Sequence, residues 1–213
     1  MTALATPTTT GVPAPVGVRP GAFGNATHLV CRACGEKTSL GPFYACLECF
    51  GPLEVGYQFP SITRAQIEAG PTSIWRYAPL LPVPADIATF RSTDPGYTRL
   101  LDAANLAADL GLRKLWVKDD SGNPTHSFKD RVVAVALSAA RELGLHVLAC
   151  PSTGNLANAV AAAAARAGIK SVVFVPENLE QQKIIASAVY DTTLIAVQGS
   201  YDDVNKLASE IAG

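Results

Sequence analysis

Short apolar runs punctuate the second half of the chain at residues 114–118, 146–150, 171–175 and 193–197. Each is dominated by valine, leucine and isoleucine and is too short for an ordinary helix, so each reads as a strand. After these runs, apolar positions recur at helical spacing over 128–143, 156–167, 179–189 and 201–212. Strands separated by helices of this length are joined by right-handed crossovers, which predicts an α/β fold with a parallel sheet. Ligands of such sheets lie outside the carboxyl ends of the strands. The loops expected there are 119–127, 151–155, 176–178 and 198–200, and they would bring Lys129, Asn155 and Lys183 toward one edge.

The first half is patterned differently. Residues 1–27 are rich in Thr, Pro, Gly and Ala with almost no large apolar side chains, which predicts a disordered tail. Residues 28–59 hold four cysteines and form an expected small lobe. Residues 60–94 read as a connector with a short helical pattern at 63–69 and a proline-studded stretch at 80–84. The α/β part is then expected over 95–213, opening with an amphipathic helix at 100–110 that ends at Gly111.

Composition narrows the class. At 213 residues, 48% hydrophobic and only 16% charged, the chain is apolar enough for strands buried on both faces. A net charge of −1 and a pI near 6.3 give no electrostatic footprint for nucleic acid or an anionic membrane. No apolar run approaches the roughly 20 residues that span a bilayer, and the N-terminus lacks a basic region followed by an apolar one. The expectation is a cytoplasmic protein with a small-molecule ligand, bound to neither nucleic acid nor membrane.

Two features carry candidate chemistry. Cys31-x-x-Cys34 and Cys46-x-x-Cys49 are separated by eleven residues, with Gly35 and Gly51 nearby. Paired knuckles of this kind supply four thiolates to a closed, structural Zn²⁺ site, for which this lobe is expected to be zinc-ribbon-like. Iron, two disulfides and a metal-free hairpin are the rivals; disulfides suit an intracellular protein poorly. Cys150 ends an apolar strand and reads as a small buried hydrophobe.

The second is Asn123-Pro124-Thr125-His126-Ser127-Phe128-Lys129-Asp130-Arg131. Ser127 followed by Asp130 reads as a capping box, which sets Lys129 in the first helical turn. A cation there opposes the helix dipole, by roughly a few tenths of a kcal/mol. Burial and the dipole both favour the neutral amine, the form that makes a Schiff base. Asp130 and Arg131 read as a cap and a salt bridge, and His126 as a loop hydrogen-bonding residue. Ser152, Thr153 and Asn155 lie between a strand end and a helix start, where unpaired N–H groups form an anion cradle.

This lysine motif and Pro151-Ser152-Thr153-Gly154-Asn155-Leu156-Ala157-Asn158-Ala159 together resemble those of fold-type II pyridoxal-phosphate (PLP) enzymes, most of all the threonine synthase family, from about His28 to the end. The resemblance implies that Lys129 is the PLP lysine and proton carrier and that Asn155 hydrogen-bonds the cofactor's O3′. It further implies that Ser152, Thr153 and Asn155 hold the substrate carboxylate and that Lys183 holds a substrate phosphate. The implied reaction converts O-phospho-L-homoserine and water to L-threonine and phosphate. Other enzymes of the family, such as threonine or serine ammonia-lyase and cysteine synthase, are the alternatives. A catalytically dead zinc-ribbon and α/β interaction fragment is a further one. The family's frequent Thr-Pro-Leu is Thr98-Arg99-Leu100 here, so Thr98 receives no role. The family also has a second lobe with a glycine-rich loop for the cofactor phosphate. The chain is therefore expected to be a fragment, inactive alone, of an enzyme that is a homodimer when complete.

Overall fold

The computed structural model describes residues 21–84, 86–87 and 93–212. The expected tail lies outside these residues up to position 20, and so do parts of the connector. Residues 21–27 correct the tail's boundary. Ala22 and Phe23 are buried together with Ala26, against Leu40, Val55 and Tyr57 and against Ala139 and Leu143 of a distant helix. One phenylalanine with its small neighbours is enough to anchor this segment.

The cysteine-bearing part is an antiparallel sheet of β1 (Ala26–Cys31), β2 (Lys37–Thr38) and β3 (Leu53–Tyr57), in the order β2-β1-β3. A short helix, α1 (Arg64–Glu68), follows. Its capping box is complete: Thr63 accepts from the Gln66 N–H, and the Gln66 side chain accepts from the Thr63 N–H. A 3₁₀ turn at Ile74–Leu80 then buries Trp75, whose indole N–H donates to the Thr93 carbonyl at 2.9 Å.

Next come β4 (Arg99–Asp102), α2 (Ala104–Asp109) and β5 (Trp116–Asp119). Here the sequence expectation fails twice. The first turn of the helix expected at 100–110 is strand β4. In addition, β5 does not join the parallel sheet but pairs antiparallel with β4, from Arg99 opposite Asp119 to Asp102 opposite Trp116. The connection between them carries a six-residue helix only about 9 Å long, so the chain folds back on itself as a wide hairpin. Leu100, Leu101, Trp116 and Val117 all remain exposed on this ladder.

The remaining elements alternate as expected: α3 (Lys129–Glu142), β6 (Val147–Pro151), α4 (Asn155–Ala167), β7 (Lys170–Pro176), α5 (Gln181–Ala188), β8 (Thr193–Val197) and α6 (Tyr201–Ala212). The parallel sheet has the order β6-β7-β8, three strands rather than four. Central β7 is covered on both faces with a period of two. Val173 and Val175 pack with α3 and α4, while Phe174 packs with Val204 and Ala208 of α6. Six alanines and Val160 are buried along α4, and their small side chains let the helix lie close on the sheet. Helix α3 is shared. Val133 and Leu137 face the sheet core, Ala134 faces Trp75 and Val83, and Ala139 faces the cysteine-bearing part. No helix among the described residues is long and apolar enough to cross a membrane.

Candidate active site

Lys129 is the first residue of α3, half-buried, with Nζ 4.8 Å from the centre of the Phe128 ring. The expected capping box is only half formed. Ser127 Oγ accepts the Lys129 N–H at 3.1 Å, but the Asp130 carboxylate does not reach back to Ser127. It accepts the Thr125 N–H and the Thr125 hydroxyl instead, each at 2.8 Å. The reason is the turn at His126, whose φ of +61° bends the loop so that Thr125 meets the helix start. His126 Nδ1 lies 2.8 Å from the Ser121 carbonyl, a loop contact. The lysine is thus fixed by a clamp on each side of it in sequence.

Arg131 reaches the other way. Its guanidinium makes two parallel 2.7 Å hydrogen bonds to Asp120, and Thr98 donates to the same carboxylate at 2.7 Å. Sequence gave Thr98 no role; it is a strut of this network. Asn123 is buried, accepts the Gly96 N–H at 2.8 Å and donates to the Asp120 carbonyl. Arg131 makes the salt bridge expected of it, but no sequence period relates 96–98 to 120–131, so the sequence did not show that Asp120 and Thr98 would be its partners.

The Arg131 fork holds the Asp120 carboxyl down to about 2, against the opposing effect of burial and with help from Thr98 and from the Arg131 and Lys118 charges. A depressed carboxylate stabilises the fold in full above its unfolded value and less as the pH falls through the window from 3.8 to about 2. Asp120→Asn should therefore cost on the order of 1 kcal/mol at neutral pH, allowing for solvent screening of a partly exposed pair. Urea midpoints of the two proteins should converge as the pH is lowered through that window; a pH-independent gap would refute the linkage.

The second half of the site is the turn from β6 into α4. Asn155 is the first, exposed residue of α4, and Gly154 precedes it with an extended backbone. Ser152 is buried; its N–H donates to the Phe174 carbonyl and its Oγ accepts the Gly154 N–H. Ser152 therefore brings no free backbone N–H to an anion cradle. A Cβ built on Gly154 meets no atom within 4 Å, so the loop opens on free space. Tyr201, unremarked in the sequence, donates its hydroxyl to the Pro151 carbonyl at 3.1 Å and ties the start of α6 to this loop.

One core joins the two halves. Val133, one turn beyond Lys129, packs with Cys150 at the end of β6 and with Ala157 in the first turn of α4. Cys150 is a core residue, with burial pushing its thiol up to about 11. Lys183 lies in α5, where its amine is 3.3 Å from Glu180 and its side chain is 46% exposed. Ser187, one turn further along the same helix face, donates to Asn158 Oδ1 of α4 at 2.8 Å. Both helices follow parallel strands and start at the same sheet edge, so Lys183 and Asn155 each lie one turn nearer that edge than this contact.

The four knuckle cysteines are gathered in one place, every sulfur within 4.8 Å of the others. Cys31 and Cys49 are 3.5 Å apart, and Cys34 and Cys46 3.7 Å. The knuckles are built alike: the Gly35 N–H returns to the Cys31 carbonyl and the Phe50 N–H to the Cys46 carbonyl, each from a residue of positive φ. Gly51 has no room for a side chain, because a Cβ would lie 2.8 Å from Cys31 Sγ. The Cys34 and Ala33 N–H groups bring the Cys31 thiol down to about 6, against burial. Cys34 is pushed up to about 12: its hydrogen bond from the Glu36 N–H is outweighed by neighbouring thiols and burial. Sulfurs so crowded share deprotonation only with a cation among them. The donor set fits a tetrahedral metal, since Zn–S bonds of 2.3 Å set sulfurs about 3.8 Å apart.

Residues 91–213 match the family described as pyridoxal-phosphate dependent enzyme. The threonine synthase of Methanosarcina acetivorans is 37% identical over 180 residues, 83% of this chain and 44% of that protein. The threonine synthase of Methanocaldococcus jannaschii is 34% identical over 187 residues, 85% of this chain and 46% of that protein. The chain thus spans less than half the length of these relatives. Among solved structures, diaminopropionate ammonia lyase from Escherichia coli aligns over 54% of this chain and 35% of its own, with a TM-score of 0.50 and 24% identity, a likeness of fold alone. On the family match, the chain belongs to the pyridoxal-phosphate dependent enzymes.

Proposed function

We propose that the chain is the lysine-bearing part of a threonine synthase, converting O-phospho-L-homoserine and water to L-threonine and phosphate. The observation that carries this reading is half-buried Lys129 at a clamped helix start, joined through one core to an open Thr153–Asn155 loop. The threonine synthases to which the chain is similar supply the substrate.

Bound PLP supplies an electron sink for negative charge developing at the substrate Cα. The chain's own residues do the rest. Lys129 carries the cofactor and moves the Cα proton, and the Ser127 and Thr125–Asp130 contacts fix its backbone so that the amine alone moves. Asn155 would hold the cofactor ring oxygen, and the Thr153 and Asn155 N–H groups would hold the substrate carboxylate at a helix start, with the Ser152 hydroxyl shaping the loop. Lys183 faces the leaving phosphate, exchanging its Glu180 partner for the stronger dianion.

The four cysteines hold one structural zinc in the same reading, and the complete polypeptide works as a homodimer. In the complete enzyme, Lys183→Ala should raise KM for phosphohomoserine at least about tenfold, the loss of one charge-assisted contact, while leaving cofactor retention intact. An unchanged KM would remove Lys183 from the site. Failure of the complete enzyme to release phosphate from O-phospho-L-homoserine would sink the substrate assignment itself.

A further inference from the structure

A cleft of about 420 Å³, whose lining includes neither Lys129 nor Asn155, lies between the 3₁₀ turn and the Gly96–Thr98 segment. Its walls include Arg76, Tyr77, Tyr97, Lys118 and Arg131, and no lining side chain among the described residues is acidic. Three cations around one cleft are unexpected in a chain of net charge −1.

The charges are not equally engaged. Arg131 is matched by the bidentate Asp120, which leaves that pair neutral. Lys118 donates to the Thr98 carbonyl, which does not neutralise it. Arg76 donates to the carbonyls of Glu68 and Gly70 and stacks on the Tyr97 ring, 4.6 Å from its centre. Its Nε is buried without a hydrogen-bond partner among the described residues. A buried, unpaired guanidinium N–H is costly unless an acceptor reaches it. The wall opposite is held open by backbone: Gly96 and Tyr97 both have positive φ, +89° and +54°, and the Asn123 side chain pins the Gly96 N–H. A tyrosine in that region is strained, and its ring is what keeps Arg76 in place.

We propose that this cleft is a second ligand site, for a small oxyanion of two negative charges, a phosphate or a dicarboxylate. Arg76 supplies the planar fork, Lys118 the second charge, and the Tyr77 and Tyr97 hydroxyls can turn to the ligand's rim. The volume suits a molecule of metabolite size. The inference is independent of the reaction at Lys129, because none of Lys129, Asn155 and Lys183 lines the cleft.

The test is a titration of the complete, PLP-loaded enzyme with inorganic phosphate and, separately, with succinate, at fixed ionic strength, followed by calorimetry and by the rise in melting temperature. Saturable binding of either anion is expected in the parent protein and in the Asn155→Ala, Lys183→Ala double variant, and it should weaken at least about tenfold in Arg76→Gln. If Arg76→Gln melts too low to assay, Lys118→Gln carries the same expectation, since Lys118 is an exposed residue of the lining. Which anion binds decides between phosphate and dicarboxylate. Absence of saturable binding for both overturns the site, as does binding lost in the Asn155, Lys183 double variant and kept in both cleft variants.

Discussion

Lys129→Ala should remove covalent cofactor retention and lower turnover of the complete enzyme by about a thousandfold or more. The size follows from two roles resting on one amine: it binds the cofactor, and it carries the proton at Cα. Arginine at the same position keeps the charge but cannot form the imine, so Lys129→Arg should be equally inactive. Both variants should fold, because the clamp around the lysine uses its backbone N–H, the Ser127 hydroxyl and the Thr125–Asp130 pair, none of which involves Nζ. Borohydride reduction followed by peptide mapping reads the outcome at residue level. A label on any lysine other than Lys129 would overturn the assignment, and a visible cofactor band retained in Lys129→Ala would do the same.

Removal of metal from the cysteine knuckles should unfold the β1–β3 sheet before the rest of the chain. This sheet has little core of its own: Ala22, Phe23, Ala26, Leu29 and two cysteines are its buried apolar residues. Binding free energy at four-thiolate zinc sites runs to roughly 10 kcal/mol or more, and in so small a unit it is folding free energy. Chelation, or Cys46→Ser at the buried knuckle, should therefore expose the amides of residues 26–57 to hydrogen exchange while those of β6, β7 and α4 stay protected. The edge packed on Ala139 and Leu143 should loosen next, because Phe23 docks there. Metal analysis gives the direct check. One zinc per chain is expected; iron in its place, or no metal, would reject the zinc assignment.

The sequence by itself determined a good deal. The short apolar runs and the helical spacing between them predicted the run from α3 to α6, because each strand and helix there is an unbroken local pattern ending at a turn signal. The lysine motif and the Ser152–Asn155 loop were visible because the residue types are unusual for a strand end and a helix start. Paired Cys-x-x-Cys spacing sufficed to expect four sulfurs in one place, since each knuckle is a local turn and only one antiparallel pairing was needed to join them.

What the tertiary structure alone decided depends on groups far apart in sequence. Leu100 and Leu101 fit a helix stripe as well as a strand, and only pairing with Val117 and Lys118 selects the strand. Asp130 looked like the second half of a capping box; the turn at His126 hands it to Thr125. Ser152 looked like an anion donor until β7 took its N–H. The Asp120–Arg131–Thr98 network and the Arg76 cleft draw on four separate segments, and no period along a chain encodes which charges will meet across a fold. Local pattern fixes elements because its energies are local; the site's electrostatics are set by distances that exist only once β4, β5, α3 and the 3₁₀ turn have packed together.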